Sequence, residues 1–76
     1  MKNIFVIYDT NTCETVRACA TMEKAIAVAI RRLVFFGHDC LSFNYDETYT
    51  VIEYRDRETK TMQSLVISET AFDEEE

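Results

Sequence analysis

The chain has no proline and no tryptophan, and only one glycine and one histidine in 76 residues. A single glycine, Gly37, cannot build a phosphate-cradling loop, which needs several backbone positions free of a Cβ. A single histidine, His38, beside three cysteines with no Cys-x-x-Cys pair, does not make a zinc site. No Asp-x-Asp-x-Asp-Gly loop is present for calcium. No run approaches the ~18 consecutive apolar residues of a membrane span. Lys2 and the apolar residues 4–8 imitate the opening of a signal peptide, then meet Asp9 too early for an h-region. The expected location is the cytoplasm, with no metal, cofactor or membrane partner.

Cysteine is odd in number. Cys13 and Cys19 stand six residues apart in what reads as one extended stretch, roughly 20 Å at strand rise and too far to bridge. Cys40 could in principle meet either. The pattern fits free thiols, buried or half-buried, in a reducing compartment. A chain this short buries only about 60% of the surface its unfolded form exposes. Ordering it costs on the order of 1.5 kcal/mol per residue, which nearly cancels the gain from apolar burial. With disulfide and metal set aside, association with a second copy is the expected supplement to the core.

What is present is organised by element. Residues 4–8, Ile-Phe-Val-Ile-Tyr, read as a central strand covered on both sides. Asp9-Thr10-Asn11-Thr12 turns through side-chain hydrogen bonds to its own backbone. Val16, Ala18 and Ala20 then alternate with Thr15, Arg17 and Cys19, the period of a half-buried strand. Thr21 is a helix N-cap with Glu23 in the first turn. The apolar positions Met22, Ala25, Ile26, Ala29, Ile30, Leu33 and Phe36 form one broad helical face, with Ile26, Ile30 and Leu33 expected against the sheet. Gly37 ends the helix where the backbone must turn left-handed, and His38 is expected to cap that end.

Leu41, Phe43 and Tyr45 alternate with polar residues, a possible short strand over 41–45. Residues 49–56 and 60–68 read as two further strands around Asp56-Arg57-Glu58-Thr59, a turn that shares its leading Asp and closing Thr with the first. The expected fold is α+β in two layers. It has an antiparallel sheet of four or five strands with one helix across one face, in ββαββ order. The domain is expected over residues 1–68, with 69–76 as an acidic tail.

On the back of the helix, Val28 and Phe35 lie beside Lys24 and Arg31. A solvated helix face does not ordinarily carry phenylalanine, so either the 38–48 segment covers Phe35 or Val28 and Phe35 form a self-association surface. Arg31 and Arg32 read as complements to the helix dipole. His38-Asp39-Cys40 has the residue types of a thiol hydrolase, but neighbours in sequence do not converge on one point as a triad does. No catalytic residue is expected, and the chain is not expected to be an enzyme.

Charge is divided unevenly. Residues 1–38 carry five Lys or Arg against three acids, and residues 39–76 carry three against eleven. The excess falls on Asp39, Asp46, Glu47 and Glu53, a stretch without a base, and on Glu69, Asp73, Glu74, Glu75 and Glu76. Such acids disfavour direct nucleic-acid contact and favour a basic protein surface. The expectation is a small acidic protein that occupies the basic groove of a nucleic-acid-binding enzyme and inhibits it, as a nucleic-acid mimic. Its size, acidity and lack of catalytic groups resemble, in general outline, the phage-encoded inhibitors of bacterial defence nucleases, anti-CRISPR proteins among them. The alternative is a structural or regulatory homodimer or small subunit that associates through the Phe35 surface.

Overall fold

The computed structural model describes residues 2–72. Its elements run β1 (Lys2–Asp9), β2 (Glu14–Cys19), α1 (Met22–Phe36), β3 (Asp39–Asn44), β4 (Tyr49–Arg55) and β5 (Met62–Phe72). All neighbouring strands pair antiparallel in the order β2-β1-β5-β4-β3. This is the expected α+β layout, with the 41–45 segment resolved as a full edge strand that begins two residues earlier. β5 continues to Phe72, so Glu69 sits in a strand opposite Phe5. Residues 73–76 of the expected tail lie outside the described residues.

Both ends of α1 follow from single residues. Thr21 is extended, and its hydroxyl accepts the Lys24 N–H at 3.1 Å, satisfying one of the donors that a helix start leaves open. Gly37 has φ 72° and donates to Val34 O, while His38 N–H reaches Leu33 O. A side chain at Gly37 would be strained by that backbone and would meet the Arg57 guanidinium at 2.7 Å. His38 caps the helix with its main chain only; its ring turns away from the helix carbonyls.

The helix lies over β1, β2 and β5. Its buried stripe is Met22, Ala25, Ala29 and Leu33, narrower than the seven-residue face expected from periodicity. Two of its four residues are fully buried alanines, and the larger Ile26 and Ile30 stand at its margins. Ile26 is half-buried and Ile30 is 38% exposed, so Ile30 is not the core residue its spacing suggests. Beneath the helix face, Ile7, Ile52, Leu65 and Ile67 are fully buried. Register places them on one side of three adjacent strands, Ile7 opposite Ile67 and Leu65 opposite Ile52. Each stabilises the fold by roughly 1.5–3 kcal/mol through removal of apolar area from water.

The other sheet face has no helix. Ile4 and Val6 of β1 are half-buried there and Tyr8 is exposed, so β1 is central within the sheet but covered on one side only. Of the three thiols, all free, Cys19 is half-buried and packs on the core, whereas Cys13 and Cys40 are exposed. Cys13 is not in a strand: it closes the first turn with φ 58°. Among the described residues, no helix is long and apolar enough to cross a membrane.

Candidate functional site

Three places on the molecule concentrate chemistry: a polar hollow at one end of the sheet, an acidic opposite end, and the outer surface of α1.

The hollow encloses about 550 Å³ between the helix C-terminus and the β1–β2 and β4–β5 turns. Because β1 and β5 are antiparallel partners, with Asp9 opposite Leu65, both turns fall at the same end. They are copies of one device. Asp9 O accepts from Cys13 N–H at 2.8 Å and Asp56 O from Lys60 N–H at 2.9 Å, and each turn ends in a left-handed residue, Cys13 (φ 58°) and Lys60 (φ 64°). Each leading carboxylate also accepts main-chain N–H groups inside its own turn: Asp9 from Asn11 at 3.0 Å, and Asp56 from Glu58 at 2.8 Å and Thr59 at 3.0 Å.

Side chains then join the two turns to each other and to the helix. Asn11 Nδ2 donates to Asp56 Oδ2 at 2.9 Å. Tyr54 O–H donates to Asp9 Oδ1 at 2.8 Å, and Arg32 approaches Asp9 Oδ2 through Nε and Nη2 at 3.4 and 3.3 Å. Arg32 thus acts as the partner of Asp9, which is only 2% exposed; it is not in the last helical turn, where no base is found. His38 accepts the Arg57 N–H on Nδ1 at 3.0 Å, which places the proton of the neutral ring on Nε2, 4.0 Å from Asp56 Oδ2. The ring is stacked between Phe36 and Tyr54 at 5.7 and 5.0 Å.

Electrostatics follow the same contacts. The main-chain N–H groups of Thr59 and Glu58, aided by His38 and Asn11, hold the Asp56 carboxyl below the usual carboxylate range. Burial, and then the hydrogen bond to Asp9, push the Tyr54 hydroxyl well up, so it remains a donor. No buried side-chain N or O among the described residues is without a partner. Asp9, Asn11, Arg32, His38, Tyr54 and Asp56 are therefore engaged with one another and clasp the two hairpin turns onto the helix end, while Thr12, Arg57 and Glu58 line the hollow at its exposed rim. Sequence pattern had marked the paired Asp turns, but Arg32, His38 and Tyr54 were not connected to them. That connection depends on the β1–β5 pairing.

The acids expected to face a partner are separated by the fold. Asp46 and Glu47 lie in the β3–β4 turn, and Glu69 is tied to that turn by its N–H bond to Thr48 O at 2.9 Å. Glu23, in the first turn of α1, lines a hollow with Glu47 and Tyr45 whose walls include no Lys or Arg. This gives an acidic end of Glu23, Asp46, Glu47 and Glu69. Asp39 belongs to the opposite end, across from Arg55. Glu53 is on the face without the helix, where it accepts the Ser42 hydroxyl at 2.8 Å. Asp73, Glu74, Glu75 and Glu76 lie outside the described residues. The four acids of residues 39–53 therefore occupy three separate places.

The helix surface is unexpectedly open. Phe35 is 81% exposed and Val34 73% exposed. The 38–48 segment builds the far edge of the sheet and does not cover Phe35, whose ring meets Phe36 edge-on at 5.1 Å. Val28, on the same flank, is half-buried beside the β2 edge. Among the described residues, no group of three or more His, Cys, Asp or Glu side chains is placed to hold a metal ion. No protein-family model matches the sequence, and no match to a curated protein or to a solved structure was found.

Proposed function

We propose that the chain is a small non-enzymatic interaction protein that works as a homodimer or small subunit through the Phe35 surface of α1. The observation that supports this is the exposure of Phe35 and Val34, 81% and 73%, on a helix whose own sheet leaves them uncovered. Burying a phenylalanine contributes about 1.5–3 kcal/mol, a large addition for a domain of this size. Sedimentation velocity provides the test. Wild type should sediment as a dimer and Phe35→Asp as a monomer with an unchanged circular dichroism spectrum. A wild-type protein that remains monomeric across the accessible concentrations removes this reading.

A second reading is supported by the acidic end, where Glu23, Asp46, Glu47 and Glu69 gather with no cation lining the hollow between Glu23 and Glu47. That end engages a basic groove on a nucleic-acid-binding protein and blocks it. Affinity capture from the source cell should weaken between about 50 and 500 mM salt, as the screening length falls from above ~10 Å to a few Å. Asp46→Lys with Glu47→Lys should abolish capture, whereas neutralising Asp39 and Glu53 should leave it intact. Equal losses from both pairs would contradict this placement of the surface.

A further inference from the structure

The edge strand β2 and the flank of α1 above it form a groove of about 400 Å³ whose lining includes Arg17, Lys24 and Arg31, with Ala18, Ala27 and Val28 between them. All three charges in this groove are positive, in a protein of net charge −6. None takes part in the ion pairs of the described residues, which are Arg32 with Asp9 and His38 with Asp56. Lys24 and Arg31 are seven residues apart, roughly 10 Å along the helix. Arg17 is on the helix-covered side of the sheet, opposite Ile7. β2 pairs with β1 alone, so the main-chain groups of its outer edge have no partner within the sheet.

We propose that this groove receives an extended acidic segment of a partner protein, which adds to the sheet beside β2 as a sixth strand. Three features select that occupant. Beyond the bulge at Val16, the outer edge of β2 over Arg17–Cys19 offers N–H donors and C=O acceptors in alternation, and only another peptide backbone answers both. A phosphodiester chain brings acceptors without donors, and the groove lining contains no aromatic side chain on which a base could stack. Alternate side chains of an added strand, ~7 Å apart, would lie under the helix flank among the three cations, where carboxylates fit. On the helix side, the small side chain of Ala27 leaves room for those carboxylates. This site adjoins the Phe35 contact along the flank that carries Val28, and does not require it.

The test uses the full chain and fluorescence anisotropy. The probe is a labelled ten-residue peptide of alternating glutamate and valine. One control replaces each valine with proline, which keeps the charge, removes every second main-chain donor and disfavours pairing as a strand; the other is a ten-nucleotide oligothymidylate. The alternating peptide should bind at least tenfold more tightly than either control, and it should slow hydrogen exchange at β2 amides. Arg17→Gln, Lys24→Gln and Arg31→Gln together should weaken it at least tenfold, with circular dichroism unchanged. Equal binding of the proline peptide or the oligonucleotide overturns the proposal in favour of plain charge attraction, as does no binding up to about 1 mM peptide. Self-association that the triple variant abolishes assigns the groove to a second copy and also overturns it. Phe35→Ser, which adds no charge one turn from Arg31, should leave peptide affinity unchanged, so loss of the dimer and loss of the peptide site are read separately.

Discussion

Asp9 and Asp46 each open a turn in the same way, with Oδ1 accepting the main-chain N–H two residues on at 3.0 Å. Their surroundings are opposite. Asp9 is enclosed by Tyr54 and Arg32 at the clasped end of the sheet, whereas Asp46 stands in solvent at the acidic end. The local chemistry of an aspartate turn is thus one thing and its energetic role another. Neighbours brought by strand pairing make the first a buried anchor, and their absence leaves the second available to a partner.

The largest effect expected from this contrast is at Asp9. Asp9→Ala leaves the Tyr54 hydroxyl and one side of Arg32 without an acceptor in a buried site, and should cost about 3–5 kcal/mol in urea unfolding. Asp46→Ala removes two exposed turn bonds, from the Thr48 N–H and hydroxyl, and should cost under about 1 kcal/mol. Similar costs for the two would show that the clasp is not an anchor. The helix offers a parallel comparison one step smaller. Leu33→Ala, in the buried stripe, should cost roughly 3 kcal/mol, and Ile30→Ala, at the exposed margin, about 1 kcal/mol or less.

Acid should act at two carboxyls, the exposed Asp46, held below its usual range by the Thr48 N–H and hydroxyl, and Asp56 at the clasped end. The Asp56 carboxyl is held below its unfolded value by the Thr59 and Glu58 N–H groups. A depressed folded pKa contributes stability that is fully present above the unfolded value and is lost as pH falls through the folded one. Unfolding midpoints should therefore hold from neutral pH to about 5 and decline below about pH 4. Asp56→Asn should flatten that decline; an unaltered acid limb would assign it to other carboxylates. The smallest effect belongs to the open end. Asp46→Lys with Glu47→Lys should move stability by less than about 1 kcal/mol, since neither side chain is buried and the bonds lost are those of Asp46 to Thr48.

Much of this fold was legible from particular residues. Thr21 and Gly37 gave both helix ends, because capping chemistry is local. The two Asp turns gave the hairpins for the same reason. Asp39–Asn44 read less clearly, since a bulge between Cys40 and Ser42 breaks its alternation. The broad apolar face of α1 hid which residues are buried, because the helix lies over β1, β2 and β5 and buries there only the stripe of Met22, Ala25, Ala29 and Leu33. The acids of residues 39–53 looked like one surface along the chain. A strand of some 20 Å separates Asp39 from Asp46 in space, and the pleat turns Glu53 to the other face. The clasp itself was not legible, since it requires β1 to pair with β5 across more than fifty residues.

The central claim is that the open helix surface, centred on Phe35, is where this small domain gains what its core lacks. Urea unfolding across a hundredfold range of protein concentration tests it most directly, because a dimer that binds only in the folded state makes the midpoint depend on concentration. The expected result is a wild-type midpoint that rises with concentration and a Phe35→Asp midpoint that does not. A wild-type midpoint independent of concentration would contradict the claim.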